Sequence, residues 1–137
     1  METRTRTYPS TLDSVTEAST FVLATAEDFG LPEEVTQYML LVIGEAVANA
    51  AGHGNEFDPD KEVVVTCSVG DDEARICVQD EGAGITDEQL ENAALPDDLM
   101  QTNGRGLFIM KSLADRTWLE NEGRRLCMAW HRISERA

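Results

Sequence analysis

Residues 39–51 read MLLVIGEAVANAA, and the rest of the chain is organised around them. Almost every side chain in it is apolar, which predicts a buried helix. Glu45 and Asn49 break the pattern. On a helix, residues at this spacing stack on one face. Burying a carboxylate or an amide without partners is costly. Such a helix either satisfies both groups with core hydrogen bonds or uses them for chemistry.

Upstream, residues 4–8 alternate Thr and Arg before Pro9, the pattern of a short edge strand. Ser10 or Ser14 is a candidate cap for the next helix, with Glu17 placed after Ser14 as in a capping box. Val15, Ala18, Val22, Ala26 and Phe29 follow helical spacing, and Gly30 ends that helix. Pro32, Glu33 and Glu34 read as the start of the helix that carries Glu45. It runs to about Ala51, where Gly52-His53-Gly54-Asn55 stops it.

Downstream, residues 62–69 and 74–79 read as a hairpin around Gly70-Asp71-Asp72. It ends in Asp80-Glu81-Gly82-Ala83-Gly84. Residues 87–94 suit one or two helical turns, and 95–103 have no clear period and read as a mobile loop. Gly104-Arg105-Gly106 opens a helix over 107–114. Residues 117–120 and 126–133 form a last hairpin around Glu122-Gly123. Helices in runs with antiparallel hairpins between them predict an α+β fold, a two-layer sandwich with helices on one sheet face.

The chain has 137 residues, enough for one domain, and a net charge of −15. Such an acidic chain repels phosphodiester backbones, so direct nucleic-acid binding is not expected. A polyanion site would have to be built locally, from backbone amides, a cation or a few arginines. The odd number of cysteines, with no CxxC pair, argues against a disulfide framework and a zinc knuckle. Cys67, Cys77 and Cys127 are expected to be small buried hydrophobes. METRTRTYPS has no signal-peptide core, and 39–51 is too short to span a bilayer, so no membrane association is expected and the expected location is cytoplasmic.

Three pieces carry candidate chemistry. An Asn oxygen suits Mg²⁺, which leans on substrate phosphates, and a Glu one turn away can take a proton from an attacking hydroxyl. Asp80 at a strand end is an acceptor for the exocyclic amine of adenine, and Gly82 and Gly84 let backbone approach a flat ligand. Gly104 and Gly106 lead into a helix N-terminus that favours phosphate, with Arg105 and Lys111 the cations nearest in sequence. Each piece is weak alone: Asp-x-Gly-x-Gly is more often only a turn, and Gly-x-Gly before a helix is no Walker or Rossmann fingerprint. His53 either joins the polar face of Glu45 and Asn49 or meets the helix C-terminal carbonyls.

Together the three pieces resemble the Bergerat-fold (GHKL) ATP-binding superfamily that includes gyrase and the histidine kinases. Glu45-Ala46-Val47-Ala48-Asn49-Ala50-Ala51-Gly52-His53-Gly54 is similar to its first motif, Asp80-Glu81-Gly82-Ala83-Gly84 to its D-x-G-x-G motif, and Gly104-Arg105-Gly106-Leu107-Phe108-Ile109-Met110 to its G-x-G-L motif. The H-G ending and the G-R-G-L-F-I-M wording resemble the anti-sigma factor and serine-protein kinase branch. That resemblance implies a mixed, mostly antiparallel sheet, with ATP and Mg²⁺ as cofactors. It implies Glu45 as general base, Asn49 as magnesium ligand and Asp80 as holder of the adenine amine. Gly82, Gly84, Gly104, Arg105, Gly106 and Leu107 frame the nucleotide with His53, and 95–103 form the lid. The implied partners are a sigma factor, a small STAS-type antagonist protein phosphorylated on serine, and a second copy in a homodimer. A nucleotide-gated binding module without kinase turnover is the alternative. An isolated histidine-kinase catalytic domain fits less well, because no helix here carries a phospho-accepting His. Two departures stand out. Arg124 follows Gly123 where relatives often have Thr, and the lid carries Asp97 and Asp98 but no cation before Arg105.

Overall fold

The computed structural model describes residues 1–93 and 105–136. The expected lid and Gly104 lie outside the described residues. Within them the chain forms one five-stranded sheet in the order β1-β2-β3-β5-β4. The strands are β1 (Glu2–Pro9), β2 (Glu62–Gly70), β3 (Glu73–Gln79), β4 (Arg116–Glu120) and β5 (Arg125–His131). Every pairing is antiparallel. The α-helices are α1 (Asp13–Asp28), α2 (Glu33–Asn49), α3 (Asp87–Glu91) and α4 (Arg105–Leu113). This is the expected α+β sandwich.

The alternation of side chains along each strand sorts the sheet into two faces. Val63, Val65, Cys67, Ala74, Ile76, Val78, Met128 and Trp130 point into one core with Val22, Met39, Val42, Ile43 and Val47 of the helices. Thr66, Cys77, Cys127 and Trp118, paired in register across four strands, lie on the other face. Arg75 and Arg116 sit over the Trp118 ring there, at 5.0 and 4.3 Å. No described helix is long and apolar enough to cross a membrane.

Helix α1 ends where Gly30 takes a left-handed conformation (φ +62°) and Leu31 N–H reaches back to the Ala26 carbonyl. Its start differs from the expectation. Ser14 is no cap: it lies inside the helix, buried, and donates its hydroxyl to the Pro9 carbonyl. Ser10 is not a cap either, since it donates to the Lys61 carbonyl. The capping box belongs instead to α3, where Thr86 accepts from Gln89 N–H and the Gln89 side chain accepts from Thr86 N–H.

The cysteine expectation is corrected for two of the three. Cys77 and Cys127 are direct partners across β3 and β5, with Cα atoms 4.1 Å apart, and form a disulfide. Fifty residues separate them, so only strand register brings them together. Cys67 is a free, buried thiol, and burial pushes its pKa up to about 11.

Candidate functional site

Helix α2 buries Val35, Met39, Val42, Ile43, Ala46 and Val47 and leaves Leu41 exposed. Glu45 and Asn49 therefore stand at the edge of its apolar stripe. Both are half-buried rather than sealed in the core. That corrects the expectation of two polar groups inside a buried helix: the helix is amphipathic, and these residues look into a cleft. After Asn49 the helix does not stop at Gly52. It widens into a π turn (Ala50–Gly54), closed by Asn55 N–H to the Ala50 carbonyl at 2.9 Å. Such single π turns favour functional sites.

Gly106, the second described residue of α4, packs against both polar groups. A methyl group added there would lie 2.7 Å from Asn49 Nδ2 and 3.1 Å from Glu45 Oε2. A larger residue there would push these side-chain ends aside. Arg105 places its guanidinium 4.0 Å from Glu45 Oε1. The side chains are 45% and 28% exposed, so the pair is loose and solvent-screened. Lys111 is not part of this group, since its ammonium donates to the Glu91 carbonyl on α3.

A second group of contacts forms around Asp80, which follows β3. Its Oδ1 accepts from Gly82 N–H at 2.8 Å. Burial raises its pKa above the ordinary carboxylate value, opposed by the Gly82 N–H and by the nearby charge of Arg124. Gly54, at the end of the π turn, abuts the Asp80 carboxylate, and a Cβ on Gly82 would run into the Gly54 carbonyl. Gly84 is left-handed (φ +85°) and packs against the carbonyl of Glu122. The turn between β4 and β5 thus docks on the glycine loop. Ile85 N–H donates to the Gly123 carbonyl, and Asp80 N–H to that of Arg124, both at 3.0 Å.

Between these two groups lies a cavity of about 590 Å³, a size that suits a small molecule. Asn49, His53, Asp80, Gly84 and Leu107 line it, and Ala46, Val78 and Leu126 supply apolar wall. Glu45, Arg105 and Gly106 do not line it; they stand beside Asn49 at one end. Gly82 does not line it either; it packs against Gly54. His53 is exposed at the cavity wall, on the π turn. Among the described residues no cluster of three or more His, Cys, Asp or Glu could hold a metal alone. A cation beside Asn49 would draw its remaining ligands from a bound phosphate chain and water, as Mg²⁺ does.

One further residue does its work out of sight of the sequence patterns. Asn55 is fully buried. Its Nδ2 donates to Ser10 Oγ and the Glu62 carbonyl at 2.9 and 3.0 Å, and its Oδ1 accepts from Glu81 N–H at 2.7 Å. It ties the π turn to β2, to the end of β1 and to the Asp80 loop. In the sequence it reads only as part of a helix stop.

The family model of the histidine kinase-like ATPase domain matches residues 8–130. Relatives point the same way. The chain is 34% identical over 103 residues to an anti-sigma F factor of Clostridium perfringens (strain SM101), covering 70% of this chain and 71% of that one. It is 36% identical over 84 residues to an anti-sigma F factor of Shouchella clausii, covering 58% of this chain and 56% of that one. A third, from Geobacillus stearothermophilus, is 33% identical over 94 residues, covering 66% and 62%. The matched region thus spans little more than half the length of the second relative.

Proposed function

The chain belongs to the histidine kinase-like ATPase domain family, and we propose that it is an ATP-dependent protein-serine kinase and anti-sigma factor. The observation that carries this reading is the meeting of Glu45 and Asn49 with Gly106 at one end of a cavity whose other end is Asp80. It supports a nucleotide held with its base at Asp80 and its phosphates toward α4.

In this reading the Asp80 carboxylate accepts the adenine amine, and Gly82 and Gly84 keep its loop thin. Asn49 offers a hard oxygen to Mg²⁺, which would supply charge neutralisation on the phosphates. Gly106 and Leu107 bring the start of α4 against the phosphate chain, and His53 flanks it. Glu45 takes the proton from the hydroxyl of a partner's serine. The serine oxygen bonds to the γ-phosphorus, the bond from that phosphorus to the β–γ bridging oxygen breaks, and ADP leaves. Arg105 is close enough to Glu45 to turn from the carboxylate to the developing phosphoryl charge.

The relatives' names support a sigma-factor partner, and the resemblance of the motifs is what supports the others. We assign a sigma factor as the sequestered partner, a small STAS-type antagonist as the phosphorylated one, a homodimer as the working form and the cytoplasm as its place. The net charge of −15 suits a basic sigma-factor surface. A second reading, a nucleotide-gated binding module without turnover, is favoured by the position of Arg105, which holds a cation beside the carboxylate that would act as base.

Radiolabelled ATP with candidate antagonists, alongside sigma-factor capture with and without ATP, separates the readings. The kinase reading expects label on a serine of the antagonist and its loss in Glu45→Ala. Label that survives in that variant would show the base to be wrong. ATP binding with no labelled antagonist leaves the binding module. Failure to retain any sigma factor under either condition would overturn the anti-sigma assignment.

A further inference from the structure

Arg124 is the only Lys or Arg among the described residues that line the cavity, and it stands at the Asp80 end. Its Nε donates to the Gly82 carbonyl at 2.8 Å, and an Nη1 contact of 3.4 Å reaches Glu122. Its own carbonyl accepts from Asp80 N–H. Arg124 is thus bound to the Asp80 loop through both side chain and main chain. A guanidinium has five N–H donors. Two are engaged in these contacts, which leaves three.

Asp80 and Arg124 both line the cavity, close enough for the guanidinium charge to act on the carboxylate. Purines present their edges as donor and acceptor patterns. Adenine shows an amine donor next to a ring-nitrogen acceptor, whereas guanine shows a carbonyl and N7, both acceptors, on the corresponding edge. A carboxylate facing the amine with a guanidinium facing the adjacent ring nitrogen matches adenine. Against guanine, the carboxylate would meet a carbonyl oxygen.

We propose that Arg124 is a further base-binding residue, the second reader of the purine edge beside Asp80, whose carboxylate makes the choice of adenine. It donates to a ring nitrogen next to the adenine amine while its Nε fixes the Gly82 carbonyl. The proposal rests on the nucleotide reading above and deepens it.

The test is calorimetry of the full chain with ATP, GTP, 7-deaza-ATP and 1-deaza-ATP. The two deaza analogues each lack one of the ring nitrogens that flank the amine. The wild type is expected to bind ATP over GTP and to lose about tenfold in affinity for one of the two analogues, the cost of one missing base contact. Arg124→Ala is expected to bind ATP about tenfold more weakly and to bind that analogue as well as it binds ATP. Arg124→Lys keeps the charge without the fork and is expected to fall between. If the wild type binds ATP and both analogues equally, no ring nitrogen is read and the proposal falls without recourse to any variant. If Arg124→Ala still discriminates against the analogue, another group is the reader. If the wild type binds no nucleotide at all, the failure lies with the nucleotide reading itself.

Discussion

Gly54 lies against Asp80 so closely that a methyl group on Gly54 would overlap the Asp80 carboxylate. The end of the π turn and the start of the glycine loop therefore share one small space, and the H-G pair that closes the first motif is tied to the aspartate of the second. The obstructed atoms are the tip of a side chain, so a larger residue at position 54 would displace the carboxylate rather than unfold the chain.

Gly54→Ala is accordingly expected to keep the wild-type circular dichroism and to lose nucleotide affinity by about tenfold or more, since the displaced carboxylate no longer faces the amine. Calorimetry with ATP reads this. Wild-type affinity in the variant would show that the Asp80 position does not govern binding.

Gly106→Ala places a methyl group 2.7 Å from Asn49 Nδ2, again at a side-chain end. Asn49 is expected to rotate away. The cost falls on the phosphate end, so phosphotransfer should drop by about a hundredfold, in the range that lost positioning causes. Nucleotide affinity should change far less. Steady-state kinetics beside calorimetry separates the two, and an equal loss in both would contradict the assignment of ends.

Asn55→Ala removes a fully buried side chain that is the partner of Glu81 N–H and of the Glu62 carbonyl. Leaving such groups unsatisfied costs about 3 kcal/mol in total. Urea denaturation should show that loss. Asn55→Asp is expected to fare no better, because an ionised carboxylate has no donor for Ser10 Oγ or the Glu62 carbonyl. A variant as stable as the wild type would mean that water replaces the network.

Asp80 makes a prediction about pH. Burial raises its folded pKa above the unfolded value, so the ionised form costs stability. The cost is present in full above the raised folded pKa and vanishes as pH falls below the unfolded value of about 3.9. Asp80→Asn keeps an oxygen for Gly82 N–H without the charge. It should melt at a higher temperature than the wild type at pH 7 and at the same temperature near pH 3, while binding ATP far more weakly. A wild type that melts higher at neutral pH would contradict the sign.

Much of the architecture was legible in the chain itself. The apolar spacing of α1 and α2, the β-branched runs of β2 and β3, and the turns at Gly30, Gly70 and Gly123 are local patterns. Local patterns write local elements, and their order named an α+β sandwich. The first two motifs were visible for a related reason, each being one short unbroken run of sequence. The third was legible as a motif, although its Gly104 is outside the described residues.

Other features depended on register and packing between distant segments. Cys77 meets Cys127 because β3 and β5 pair in one register, which no cysteine spacing encodes. Asn55 becomes a buried junction only when β1, β2 and the Asp80 loop converge on it. Ser14 looked like a cap, yet the Pro9 carbonyl takes its hydroxyl. Arg124 was visible as an unusual residue, but its grip on the Gly82 carbonyl follows from the β4–β5 turn docking on the loop. Periodicity carries information over a turn of helix or a pair of strand residues. Contacts across forty or fifty positions are set by how the layers close, and that is where the ends of this cavity acquire their different chemistry.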